Sequence, residues 1–152
     1  MSDFIEHADV SPVTLSLHLE NATVAHTLQE DGDIYVTEPG WFPFWIHILP
    51  KPDFIGLLTF INFRKSSTEL QRLKIANEFN RENYIGTAFV DDGDVLKMTH
   101  MLSYRYGIPT ETLIRACRQF SGGMGLSIDQ FDPDYQILMR LSETQSVETE
   151  NE

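Results

Sequence analysis

Apolar and polar residues alternate with a period of two through the middle of the chain, a pattern that predicts β-strands. Residues 42–49 and 54–63 are apolar on both alternating faces, and strands of this kind are expected to be covered on both faces. Further segments of strand character lie at residues 24–30, 33–38, 85–91 and 94–104.

Two similar acidic segments separate the shorter strands, EDGD at residues 30–33 and DDGD at residues 91–94. Each contains Asp-Gly, and glycine tolerates the positive φ that a tight hairpin turn requires. We therefore predict a β-hairpin tip at each segment. Binding of a divalent cation by the grouped carboxylates is the less favoured alternative, because neither segment has EF-hand spacing.

Spacings of three and four residues predict helices in the second half of the chain. Ser66 and Glu69 fit a capping box at the start of a helix over residues 67–81. A last helix begins at residue 109 and continues through the glycine-rich residues 122–125, where a break is the alternative because each interior glycine costs about 1 kcal/mol. The apolar stripe of the first of these helices comprises Leu70, Leu73, Ala76 and Phe79.

The segment over residues 12–21 carries two conflicting signals. Ser11 and Pro12 are a good N-cap and first-turn pair for a helix. The apolar residues that follow nevertheless alternate as they would in a strand. The residues alone leave both alternatives open.

The charge distribution disfavours nucleic acid and membranes as partners. The formal net charge of the 152 residues is −12, and the first basic residue is Lys51. Binding to nucleic acid or to anionic lipid draws its affinity from Lys and Arg, so neither partner is expected. The acidic residues are expected to keep the protein soluble.

The residues that could carry chemistry form no recognisable catalytic or metal site. Cys117 lies in the apolar stripe of the last predicted helix, and the histidines do not fall at metal-ligand spacing. We therefore predict no enzyme activity, no metal and no cofactor. A lone cysteine and an acidic start without signal-peptide features predict a reducing, cytoplasmic location. The histidines are His7, His18, His26, His47 and His100.

The chain from about residue 57 to residue 131 resembles the YbjN family. The resemblance rests on an apolar strand, the helix containing NEFNR at residues 77–81, the AFVDDGD hairpin at residues 88–94 and the final helix. The start of the chain is also similar, with a short helix followed by residues 27–36. The resemblance thus favours a helix over residues 12–21.

This resemblance implies an α+β fold similar to that of type III secretion chaperones, with helices packed on one face of a twisted antiparallel sheet. It also implies a regulatory role in bacterial sensory transduction and supplies no catalytic residues. Asn77 and Asn80 share a helix face, and we expect their amides to satisfy neighbouring backbone groups rather than to contact a ligand. We predict one domain over residues 10–141, with an N-terminal arm over residues 1–9 and a disordered acidic tail over residues 142–152.

Three classes of function are compatible with these observations. We favour a non-catalytic, regulatory or chaperone-like module that binds an unidentified protein partner and forms a homodimer. A small-ligand sensor is one alternative, and an enzyme with an unrecognised site is the other. The sensor pocket would be lined by Trp41, Trp45, Phe60 and His47.

The second face of the predicted sheet is the expected partner or dimer surface. Three helices can cover one face, whereas the sequence offers no evident fourth element for the other. An uncovered apolar patch of roughly several hundred Å² tends to mark an interface. Contact through the second helix, or an N-terminal arm folded back over the patch, are the alternatives. The patch residues are Trp41, Trp45, Leu49, Phe54, Leu58 and Phe60.

Overall fold

A computed structural model describes residues 2–143 of the chain. The main helices are α1 (Pro12–Asn21), α2 (Glu69–Glu82) and α3 (Thr110–Phe131). The strands are β1 (Phe4–Ile5), β2 (His26–Leu28), β3 (Ile34–Val36), β4 (Phe44–Leu49), β5 (Phe54–Asn62), β6 (Thr87–Asp91), β7 (Val95–Ser103) and β8 (Ile108–Pro109).

Six of these strands form one antiparallel sheet in the order β2-β3-β4-β5-β7-β6. At its centre β5 and β7 pair along their whole length, from Phe54 opposite Ser103 to Asn62 opposite Val95. β1 and β8 form a separate antiparallel pair. The predicted α+β class and antiparallel sheet are confirmed, although several strands are shorter than predicted.

The two predicted hairpins are also confirmed. β2 pairs with β3 and β6 pairs with β7, each across an Asp-Gly tip. Gly32 has a φ of 91° and Gly93 a φ of 80°, values that favour glycine over residues with a side chain.

The helices pack against one face of the sheet. Phe44 and Ile46 of β4 and Leu57 of β5 are buried in the core on this face. Phe44 meets Phe120 of α3 edge-on, with ring centroids 5.5 Å apart. Full burial of each such side chain stabilises the fold by about 1.5–3 kcal/mol.

The opposite face of the sheet carries no helix in the described part of the chain. Trp45 of β4 and Leu58 and Phe60 of β5 are partly exposed there. The prediction that both faces of these strands are covered is therefore wrong for residues 2–143. Apolar residues on both faces of a strand do not by themselves mean that a second layer packs there. On this second face the aromatic side chains stack on one another instead.

The segment over residues 12–21 is helical despite its strand-like alternation. The Ser11 side chain caps α1 by accepting a hydrogen bond from the Thr14 N–H at 3.1 Å. Val13 and Leu17, which the strand pattern would bury, are 59% and 45% exposed. Burial therefore follows helical spacing, and the buried residues are Leu15, His18 and Leu19.

The capping box of α2 begins at Thr68 rather than at Ser66. Thr68 Oγ1 accepts a hydrogen bond from the Gln71 N–H at 3.1 Å, and Gln71 Oε1 accepts one from the Thr68 N–H at 2.8 Å. Ser66 cannot act as the cap because it lies inside a turn, which the Ser67 N–H closes by donating to the Arg64 carbonyl.

Half of the predicted apolar stripe of α2 faces solvent. Leu70 is 76% exposed and Leu73 is 52% exposed. Arg72 takes the inward position in this part of the helix, where its guanidinium carbon lies 5.2 Å from the centre of the Phe63 ring. The residues of α2 that are buried are Ile75, Ala76 and Phe79.

α3 continues without a break through the glycine-rich residues 122–125, as its periodicity predicted. Asn83, at the C-terminal end of α2, donates from Nδ2 to the Gly123 carbonyl at 3.4 Å and to the Ser127 hydroxyl. A β-carbon at position 123 would lie only 2.6 Å from Asn83 Oδ1. Glycine at this position therefore allows the end of α2 to approach α3 closely.

The N-terminal arm pairs with β8 rather than crossing the second face of the sheet. Phe4 lies opposite Pro109 and Ile5 opposite Ile108. Ile5 is 1% exposed and belongs to the core on the helix side. The alternative in which the arm covers the aromatic patch therefore does not hold for residues 2–9.

The chain after α3 is fixed by a buried carboxylate. Asp132 is 5% exposed and accepts hydrogen bonds from backbone N–H groups on the segment that follows it. Residues 141–143 are helical, and Glu143 Oε2 lies 2.9 Å from Arg64 NH2. The remainder of the predicted acidic tail, residues 144–152, lies outside the described residues. The N–H donors to Asp132 are those of Gln136, Ile137 and Leu138.

We expect Gly123→Ala to lower the free energy of unfolding by about 1–3 kcal/mol, because the new β-carbon displaces the Asn83 amide from its contacts. The matched control is Gly122→Ala, since a β-carbon there meets no described atom within 4 Å. The control is expected to raise the free energy of unfolding by about 0.5–1 kcal/mol through helix propensity. Urea denaturation measures both, and stabilisation by both variants would contradict the close approach.

Candidate protein-interaction surface

An aromatic cluster lies at the centre of the sheet face on which none of the described helices packs. Trp45 of β4 stacks on Tyr35 of β3 with ring centroids 4.6 Å apart, and on Phe60 of β5 with centroids 5.5 Å apart. Stacked aromatic pairs contribute about 0.5–1.5 kcal/mol beyond their burial. We call this surface the open face and define it as Tyr35, Trp45, His47, Leu49, Phe54, Leu58, Phe60, Phe89, Lys97 and Met101.

Most of the predicted patch residues lie on the open face, but Trp41 does not. Trp41 packs against the core on the helix side. The alternation that places Trp45 on the open face does not extend to residue 41, because β4 begins at Phe44. The Trp41 N–H instead donates to the Glu38 carbonyl and closes a turn. The predicted residues that do lie on the face are Trp45, Leu49, Phe54, Leu58 and Phe60.

The patch prediction missed three residues that widen the open face. Met101 of β7 is 45% exposed, Phe89 of β6 is 39% exposed, and Tyr35 is partly exposed. The sequence signal for Met101 was available, since it has the same period-two parity as Lys97. Phe89 and Tyr35 join the face through the pairing of their strands, which the sequence does not specify.

A shallow depression of about 330 Å³ lies on the open face around Gly56. His47 lines it, and His47 Nδ1 lies 2.5 Å from Asp33 Oδ1. Of the residues predicted to line a sensor pocket, His47 lines this depression, whereas Trp41, Trp45 and Phe60 do not. Its other lining residues include Leu49, Leu58, Lys97, Thr99 and Met101.

Asn80 of α2 binds the backbone of the edge strand β6. Its Nδ2 donates to the Ala88 carbonyl at 2.9 Å, and the Ala88 N–H donates to its Oδ1 at 2.7 Å. The side-chain amide thus takes the place that a neighbouring strand would take at this residue. Asn77 is exposed and does not take part in the pairing.

The thiol of Cys117, the single cysteine of the sequence, is not activated as a nucleophile. Burial raises the pKa of the Cys117 thiol to about 12, so the reactive thiolate is not formed at neutral pH. Within residues 2–143, no group of three or more His, Cys, Asp or Glu side chains is placed to hold a metal ion. None of the described helices has the length and apolar character that crossing a bilayer would require.

Two histidines on the helix side of the sheet have lowered pKa values. Burial lowers the pKa of His18 and also that of His100. His18 Nδ1 on α1 lies 3.0 Å from Thr110 Oγ1 at the start of α3. His100 lies on β7 opposite Leu57, whose side chain belongs to the core.

Residues 11–133 match the model of the YbjN family, which is described as "Putative bacterial sensory transduction regulator". The match spans most of the chain, and the chain therefore belongs to the YbjN family. No curated protein was found to match it.

Among solved structures, the fold is similar to that of YbjN from E. coli, described as "a putative transcription regulator". The two share 18% sequence identity with a TM-score of 0.71, over 86% of this chain and 96% of the other. At this level of identity the similarity establishes the shared fold.

We expect Asn80→Ala to lower the free energy of unfolding by about 1–3 kcal/mol, because it leaves the Ala88 backbone groups without their partner. Thermal or urea denaturation measures the loss. Asn77→Ala is the matched control on the same helix and is expected to change stability little. A specific binding activity is expected to survive Asn80→Ala, whereas unchanged stability with lost binding would identify a ligand contact.

The free energy of unfolding is expected to fall as the pH is lowered from about 7.5 to about 5. His18 and His100 have lowered pKa values in the folded state, so the unfolded chain binds more protons once the pH drops below the usual histidine pKa of 6.5. Urea titrations across this range measure the slope. The double variant His18→Gln/His100→Gln is expected to flatten it, and an unchanged slope would contradict the assignment.

Proposed function

We propose that this YbjN-family chain is a regulatory, chaperone-like protein-interaction module that catalyses no reaction itself. Its open face is the contact surface, and the occupant of that surface is a second copy of the chain. The protein acts in the cytoplasm, where its lone cysteine stays reduced.

The aromatic cluster of the open face is the observation that carries this proposal. Trp45 lies at its centre between two further aromatic rings, and no described helix packs over it. The exposed side chains of Met101 and Phe89 extend the same apolar surface. Uncovered patches of this kind on soluble proteins tend to be interaction sites.

The size of the open face suits a dimer contact. β5 has nine residues and so runs for about 30 Å, and the five strands from β3 to β6 extend across roughly 19 Å. Because β3, β4 and β6 are shorter than β5, the resulting flat area is roughly 500 Å², before the relief of the side chains is added. A standard protein interface buries about 800 Å² on each partner, so most of this face would be used.

The charged groups of the open face do not oppose such a contact. Lys97 Nζ lies 3.7 Å from Asp91 Oδ2, and His47 is paired with Asp33. A two-fold contact places the same surface on both copies, so unpaired like charges at its centre would be repulsive. The pairing within each chain reduces that repulsion.

Regulation through protein contact fits the charge of this chain better than direct binding to DNA. YbjN from E. coli is described as "a putative transcription regulator". The present chain has a net charge of −12, with no Lys or Arg among residues 1–50. Phosphate backbones would be repelled by this part of the chain.

We expect light scattering at micromolar concentration to give a mass of twice 17.5 kDa for the wild type. Trp45→Glu is expected to give a folded monomer, because a dimer would bury its new carboxylate without a partner. Leu70→Glu is the control: Leu70 is 76% exposed on α2, and its replacement is expected to leave the dimer intact.

A monomeric wild type would contradict the homodimer. Dissociation by Leu70→Glu but not by Trp45→Glu would place the contact on α2. A saturable change in tryptophan fluorescence with a small metabolite, in a wild type that is monomeric, would favour the sensor alternative.

A further inference from the structure

We propose that the outer edge of β2 binds an extended, positively charged segment of a partner protein, which joins the sheet as an additional strand. This site deepens the proposed interaction function by naming a partner class. It is separate from the open face, because it lies at one edge of the sheet and on the side of the helices.

The backbone of β2 has groups that point away from the rest of the sheet. The Ala25 carbonyl accepts a hydrogen bond from Thr37 at 2.9 Å, and the Gln29 N–H donates to Asp33 at 2.9 Å, both toward β3. In an antiparallel edge strand, the backbone N–H and C=O groups of successive residues point alternately toward the neighbouring strand and away from it. The N–H and C=O groups of the intervening His26 and Leu28 therefore point outward, and among the described strands β2 pairs with β3 alone.

A groove of about 480 Å³ lies beside this edge, between β2 and α1. His26 and Leu28 lie opposite the buried residues Val36 and Ile34, so their side chains are on the helix side of the sheet. Alternate side chains of an added strand would enter the groove, while its backbone paired with β2. The groove is lined by Ser16, Glu20, Thr23, Val24, His26 and Leu28, among others.

At the opposite edge of the sheet, outward-facing backbone groups of β6 are already paired at Ala88. Asn80 occupies both backbone groups of Ala88 on β6. Covering an edge in this way is a usual protection against unwanted strand addition. Among the described residues, no side chain pairs in this way with the outward N–H and C=O groups of His26 and Leu28 on β2. β2 is therefore the edge that we expect to accept an added strand.

The charges around β2 determine which occupant fits. Glu20 lines the groove, and Glu38 Oε2 accepts a hydrogen bond from the Ala25 N–H at one end of the strand. The hairpin at the other end adds Asp31, and residues 1–50 contain no Lys or Arg. A second copy of this edge would be repelled by its own carboxylates, whereas Lys or Arg side chains on a partner segment would be attracted.

Fluorescence anisotropy of a labelled short peptide of alternating valine and lysine, titrated with the full chain, tests the proposal. We expect saturable binding with a Kd in the micromolar range that weakens as salt is raised. The same peptide with glutamate in place of lysine is expected to bind at least roughly tenfold more weakly.

Two variants of the chain locate the site. Leu28→Pro removes an outward N–H without removing a bond to β3, and Glu20→Lys reverses the charge in the groove. Each is expected to weaken binding of the lysine peptide by roughly tenfold. Asp129→Lys, a similar charge reversal at an exposed position on α3, is the matched control and is expected to change the affinity by less than about twofold.

The proposal is overturned if the lysine peptide does not bind at about 1 mM, or if the glutamate peptide binds equally well. It is also overturned if neither Leu28→Pro nor Glu20→Lys weakens binding of the lysine peptide. If Leu28→Pro does not fold, the result for Glu20→Lys is sufficient to decide. Trp45→Glu is expected to leave peptide binding unchanged, so the dimer and this site can fail independently. Loss of peptide binding in Trp45→Glu would move the site to the open face.

Discussion

The pairing of β5 with β7 along nine residues is the constraint on which the other features of this structure depend. Because side chains alternate along both strands, the pairing assigns every residue of the sheet centre to one of two faces. Leu57 and Ile61 thereby join the core beneath the helices, and Leu58 and Phe60 are left on the open face. A shift of one residue would exchange the two sets, and burial of the first set opposes it.

The helices then determine how much of the sheet remains accessible. α2 is held at its C-terminal end by Asn83, which reaches the α3 backbone at Gly123, and Asn80 binds the edge strand β6. These two amides hold α2 over one end of the sheet and cover the β6 edge at Ala88. α1 packs near β2 at the other end, with Ser16 Oγ 2.7 Å from His26 Nε2, and leaves a groove there.

Two surfaces of different character result from this arrangement. The open face is aromatic, and its charged groups are paired within the chain, which suits contact with an identical surface. The β2 edge offers backbone hydrogen bonds among carboxylates, which suits an extended basic segment. The two proposals thus assign assembly to one surface and partner binding to the other.

Local patterns in the sequence were sufficient for the two Asp-Gly hairpins, the continuity of α3 and the side on which Trp45, Leu58 and Phe60 lie, since each depends on the spacing of neighbouring residues. The antiparallel sheet as a whole was implied by the resemblance to the YbjN family. Only the tertiary structure decided which of these local options were used. α1 is helical because packing buries Leu19 at helical spacing, and Leu73 is exposed because Arg72 takes the inward position on α2. The pairing of Asn80 with Ala88 on β6 and the groove between α1 and β2 likewise depend on how a helix packs against a strand, and no local pattern of hydrophobic residues encodes such contacts.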